Sequence, residues 1–225
     1  MNIEKVLLSY PRSGNHMVRF FLELLSEQPT MGAVNVKTNQ INASDKPIYT
    51  NKFRENIPFN ISEYNQVDCF YKHHQPPNKS NNVKQLIFIV RNPQEVLIRH
   101  SYNKLNLNLY QDYFDVIDYY NNFKGEKLLL FYEDIFKDKE LLINELYTFL
   151  KLENEEKKQY IIKNAEKLSE LSKSPTDRKW EKPISNSVEF HYKRIPEKIK
   201  KPYDEYIAKK MTNPSYKFIK DKYNL

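Results

Sequence analysis

Only three glycines, Gly14, Gly32 and Gly125, occur in 225 residues. The general P-loop signature needs two glycines four residues apart, followed by Lys and then Ser or Thr, so it is absent and an ordinary ATP or GTP site is disfavoured. Cysteine is scarcer still. Cys69 stands alone, which excludes an intrachain disulfide and a zinc site built on cysteines. A reducing, cytoplasmic setting is therefore expected. Long apolar runs are lacking too: Val6-Leu7-Leu8 is cut off by Pro11, Arg12 and Gly14, far short of the ~20 residues a membrane span needs. A basic n-region, an apolar h-region and a small-residue cleavage site are also missing, so neither a membrane span nor an export signal is expected.

What the chain does contain is enough apolar material to fold, with 40% hydrophobic and 14% aromatic residues, although its mean hydropathy of −0.78 implies a strongly polar surface. A chain of this length fits a single domain over residues 1–225. Net charge is +7, and residues 193–225 hold ten Lys or Arg against four Asp or Glu. That balance favours an anionic partner. No recognised nucleic-acid motif accompanies it, so nucleic acid is not the expected ligand.

The hydrophobic pattern predicts strands at Lys5–Ser9, near Val67–Tyr71, at Gln85–Val90 and at Lys127–Tyr132, interleaved with helices over 15–26, 93–104 and 110–123. Two further helices are expected near 133–150 and 155–171, and a last one over 196–211. Residues 28–65 read as an irregular segment with one short helix, long enough to serve as a lid, and 172–191 as a loop. Asn92-Pro93 supplies a cap and a first-turn proline for the helix that follows the strand at 85–90. Alternating short apolar strands and helices point to a three-layer, P-loop-like α/β fold, a mainly parallel central sheet flanked by helices. Ligands of such sheets sit at the carboxyl ends of the strands.

The chemistry-bearing residues fall at those ends. Tyr10-Pro11-Arg12-Ser13-Gly14-Asn15-His16 joins the first strand to a helix, so unpaired amides and the helix dipole form an anion site that Arg12 reinforces. This segment resembles the 5'-phosphosulfate loop of sulfotransferases that use 3'-phosphoadenosine-5'-phosphosulfate (PAPS), whose pattern is Tyr-Pro-Lys/Arg-Ser-Gly-Thr-Thr-Trp. Tyr71-Lys72-His73-His74-Gln75-Pro76 resembles the family's Lys-Thr-His-Leu-Pro segment. Leu86–Asn103 is similar to its 3'-phosphate motif, an Arg-Asn/Asp-Pro after a buried strand with a Ser eight residues beyond the Arg. Lys127–Asp134 looks like the family strand that ends in Tyr-Glu-Asp, and Arg178-Lys179 resembles the Arg-Lys-Gly of the tail, with Trp180 in place of the glycine.

The resemblance implies the following roles. His74 falls on the family's catalytic base, while Lys72 and Arg12 would stabilise charge on the leaving phosphate and sulfonate. A histidine's ordinary pKa near ~6.5 suits a base at neutral pH. Ser13, Gly14, Asn15 and His16 would hold the 5'-phosphate. Arg91 would hold the 3'-phosphate with Arg99, and Arg178 and Lys179 would close over it. Arg99 stands where the family has Ser, and Ser101 lies about 200° further round the helix. Met17 replaces the Trp that stacks on adenine, a task that Trp180 could take over. The implied reaction passes a sulfonate in line from PAPS to an acceptor hydroxyl of a small molecule, sugar or lipid, releasing 3',5'-adenosine bisphosphate (PAP), with no metal. His73 and His74 are adjacent and lack a third ligand at a supporting spacing, which also speaks against a metal. A P-loop-related kinase and a polyanion- or nucleic-acid-binding domain without catalysis are the alternatives.

Overall fold

In the computed structural model of the chain, the described residues are 3–32, 34–35, 40–41, 69–101, 106–172 and 191–225. Most of the segment expected to be irregular, and nearly all of the 172–191 loop with Arg178, Lys179 and Trp180, lie outside them.

Four strands, β1 (Lys5–Ser9), β4 (Phe70–His73), β5 (Gln85–Val90) and β6 (Glu126–Phe131), form one sheet in the order β4-β1-β5-β6. Every neighbouring pair in it is parallel: Leu8 lies opposite His73 on one side and Phe88 on the other, and Val90 lies opposite Phe131. Two short strands, β2 (Val34–Asn35) and β3 (Gln40–Ile41), pair antiparallel by themselves.

The helices are α1 (Asn15–Ser26), α2 (Pro93–Ser101), α3 (Leu107–Asn122), α4 (Tyr132–Lys137), α5 (Lys139–Phe149), α6 (Glu155–Lys163), α7 (Ala165–Ser172), α8 (Glu197–Lys210) and α9 (Lys217–Tyr223). Because successive strand residues point to opposite faces, each apolar strand feeds two cores. Val6, Leu8, Leu86, Phe88 and Val90 pack with residues of α2, α3, α8 and α9. Leu7, Ile87 and Ile89 pack with residues of α1, α4, α5, α6 and α7. The result is the expected three-layer α/β arrangement.

Several boundaries differ from the sequence reading. The second sheet strand runs over 70–73 rather than near 67–71, so Lys72 and His73 belong to it and His74 follows its end. The expected helix over 133–150 is broken at Asp138, which leaves the helical region (φ −125°, ψ 99°) and caps α5 by accepting from Leu141 N at 2.9 Å. The expected helix over 155–171 breaks at Asn164, at φ −107° and ψ 10°. The last helix, α9, was not anticipated: seven residues with little periodicity give no signal.

The topology positions the site. The chain leaves β1 toward α1 on one face and leaves β5 toward α2 on the other, and these two strands are neighbours. A crevice therefore opens between their carboxyl ends, the place where parallel sheets bind ligands.

Candidate active site

The turn after β1 combines two left-handed residues, Arg12 at φ 71° and Gly14 at φ 87°. A Cβ on Gly14 would lie 2.4 and 2.7 Å from ring carbons of Tyr132, so glycine is required here by backbone and neighbour together. Gly14 is also the N-cap of α1, so its first turn receives no side-chain cap from that position, and it contains no acidic residue. Ser9 Oγ donates to Asn15 Oδ1 at 2.5 Å, which ties the strand end to the helix start. Ser13 is fully buried and its hydroxyl has no hydrogen-bond partner. Arg12 and His16 are exposed, and Met17 is half-buried beside the α1 core. Amides at a helix start, a buried unpartnered hydroxyl and an exposed guanidinium together suit a phosphate.

Arg91 follows β5 and reaches back to this turn. Its Nη1 donates to the Arg12 carbonyl at 2.7 Å, and its guanidinium lies 4.2 Å from the centre of the Tyr132 ring. Tyr132 thus packs against both Gly14 and Arg91. Burial lowers the Arg91 pKa and Arg99 adds to that, while Tyr132, Glu95 and Glu133 oppose it; an arginine remains charged throughout. Its Nε is buried without a partner. Glu95, one turn into α2, lies 2.6 Å from Arg99 Nε and 3.7 Å from Arg91 Nη2. From the first turn of α4, Glu133 accepts from Asn92 N at 3.1 Å and from the Tyr223 hydroxyl at 2.7 Å. The Tyr113 hydroxyl donates to the Arg91 carbonyl at 2.8 Å.

His74 closes the other side. Its Nδ1 lies 2.8 Å from the Ser9 carbonyl. A carbonyl can only accept, so this bond puts a proton on Nδ1 and fixes the orientation of the ring. His73, by contrast, is fully buried on the sheet face opposite to Lys72, and burial together with His74 pulls its pKa down to about 4. Lys72 is buried within β4, opposite Leu7. On the α2–α3 side the Tyr10 ring meets His100 edge-on at 5.1 Å, and burial, then the Arg12 charge, lowers the His100 pKa.

The fold brings Arg12, Ser13, Gly14, Asn15, Arg91, Arg99 and His74 to the carboxyl ends of three adjacent strands, with His16 and Met17 in the first turn of α1 and Lys72 one register short of the edge. Arg178 and Lys179 lie outside the described residues. Sequence reasoning missed Glu95, Tyr113, Tyr132 and Glu133. Glu95 was legible as the residue four beyond Arg91 and four before Arg99; the contact of Tyr132 with Gly14 joins residues too far apart in sequence to leave a local signal. Among the described residues, no group of three or more His, Cys, Asp or Glu is placed to hold a metal ion, and no helix is long and apolar enough to cross a membrane.

No family model matches the chain, and no curated protein matches it by sequence. Solved structures do. Mouse sulfotransferase SULT7A1 complexed with PAP is similar at 18% identity and a TM-score of 0.57, over 98% of this chain and 88% of that one. Retinol dehydratase is similar at 14% identity over 92% of this chain and 80% of that one, with a TM-score of 0.55 for its complex with retinol and PAP and 0.54 for that with androsterone and PAP. At these identities the likeness is one of fold, and the chain has the α/β fold of these PAP-bound enzymes.

Proposed function

We propose that the chain is a sulfotransferase, a single domain over residues 1–225, that moves a sulfonate from PAPS to an acceptor hydroxyl without a metal. The observation that carries this reading is the His74 ring, whose Nδ1 lies 2.8 Å from the Ser9 carbonyl, beside the turn that joins β1 to α1. A base and a phosphate cradle that share one strand end are what transfer to a hydroxyl requires.

When bound, PAPS supplies an activated sulfonate and a phosphate leaving group. His74 Nε2 takes the proton of the attacking hydroxyl. Arg12 and Lys72 hold the negative charge that grows on the bridging and sulfonate oxygens. The amides of Ser13 to His16 hold the 5'-phosphate at the α1 N-terminus, and the buried Ser13 hydroxyl fits that demand for donors. Arg91 and Arg99, with Arg178 and Lys179, take the 3'-phosphate and so select PAPS over ATP. PAP in the similar structures supports this donor; retinol and androsterone, bound by one of those proteins, each carry a hydroxyl. A cytoplasmic setting belongs to the reading, supported by the single buried thiol of Cys69.

Calorimetry with PAP and with ATP plus Mg2+ tests the donor site. PAP is expected to bind at least about tenfold tighter, the worth of ~1.4 kcal/mol from a charge-assisted phosphate contact; tight binding of ATP alone overturns the reading. In His74→Ala, turnover of labelled PAPS should fall by about 10²–10⁴-fold with PAP affinity retained, and unchanged turnover removes His74 from the base role.

A further inference from the structure

Glu95 and Arg99 lie one turn apart on α2 and Arg91 just before the helix, four residues from Glu95, so the carboxylate stands between the two guanidiniums. Glu95 is 2% exposed, with one oxygen 2.6 Å from Arg99 Nε and 3.7 Å from Arg91 Nη2. Its other oxygen accepts from Tyr192 N at 2.9 Å. Glu133, in the first turn of α4, adds to the negative charge around Arg91. Two guanidiniums are therefore balanced by two carboxylates before any ligand arrives.

We infer that Glu95 competes with the 3'-phosphate for Arg91 and Arg99 and thereby sets how tightly the donor, and the spent PAP, are held. The inference rests on the donor reading above. A phosphate that reaches the arginines meets the Glu95 carboxylate across the same two side chains, in a buried setting where like charges are screened least. Removing that charge leaves the pair with a net surplus of one positive charge for the phosphate. The orienting role of Glu95 works in the opposite direction, but Arg91 keeps two other anchors, the Arg12 carbonyl and the Tyr132 ring. The loss of repulsion therefore dominates. A carboxylate in this position favours release of the product over maximal affinity for it.

The test compares PAP with 5'-AMP, which lacks the 3'-phosphate, in the wild type and in Glu95→Gln. Gln retains a carbonyl for Tyr192 N while losing the charge. PAP affinity is expected to rise on the order of tenfold with a slower off-rate, while 5'-AMP affinity stays constant. Damage to the fold lowers both affinities and cannot produce a rise confined to the 3'-phosphate. Unchanged or weaker PAP binding in the variant, with the wild type still preferring PAP, overturns the inference but leaves the donor reading intact. A wild type with no preference for PAP over 5'-AMP overturns the donor reading and the inference with it. Should Glu95→Gln not fold, Glu95→Asp carries the test: its carboxylate is drawn back from Arg99 by one methylene, and a smaller rise of the same sign is expected, with no rise overturning the inference.

Discussion

His73 and His74 are adjacent in the chain and have opposite fates, because β4 ends between them. His74, past the strand, is free to turn its ring toward the Ser9 carbonyl. His73, still in the strand, is driven into the interior, and its pKa falls to about 4. The sign of the consequence follows from proton binding: the unfolded chain takes up a proton near pH ~6.5, the native state only near 4. The unfolded state holds more protons across that window, so this contribution is intact above ~6.5 and stability declines by about 3 kcal/mol as pH falls to 4. Urea unfolding of the wild type from pH 7 to 4.5 should show this slope, and His73→Leu should flatten it; equal slopes would assign the acid sensitivity elsewhere. By residue type alone the two histidines read as one pair, and only the family resemblance singles out His74. In the structure the strand end separates them.

At the scale of elements, α1 is amphipathic in an unusual way: Arg19 and Glu23 are fully buried on a helix whose other buried residues beyond Asn15 are Val, Phe and Leu. Thr30 joins them. Arg19 Nε donates to its hydroxyl at 2.7 Å and Nη2 to its carbonyl at 3.2 Å, while Thr30 N and its hydroxyl both donate to Glu23. The cluster pins the chain as it leaves α1 for the bridge of Met31 to Tyr71 beside β4. Glu23→Leu removes the buried carboxylate that shares Thr30 with the buried Arg19 charge, which is expected to cost about 3–5 kcal/mol in denaturant unfolding. A loss below ~1 kcal/mol would mean that Arg19 finds water or another acceptor. The periodicity of α1 was readable because its apolar residues repeat at helical spacing. The buried ion cluster was not, since Arg and Glu at i and i+4 look identical on a solvated face.

For the whole molecule, the parallel order β4-β1-β5-β6 brings three loops from distant sequence to one edge. A ligand that spans them should stabilise the fold as a unit. At one hundred times its Kd, PAP adds about 2.7 kcal/mol, a rise in Tm of roughly 5–10 °C for a chain of this size; 5'-AMP at the same concentration should give less, and equal shifts would deny a 3'-phosphate subsite. The sequence by itself determined the alternation of strands and helices, the glycine at position 14 and the arginine after β5, because hydrophobic period, left-handed turns and strand-end charges are local properties. Only the tertiary structure decided that Tyr132 packs against Gly14 and beneath Arg91, that Glu133 ties Asn92 to Tyr223, and that the His74 ring meets the Ser9 carbonyl. Those contacts join residues from 41 to 118 positions apart, and separations of that kind are set by how strands pair and layers pack, not by any pattern along the chain.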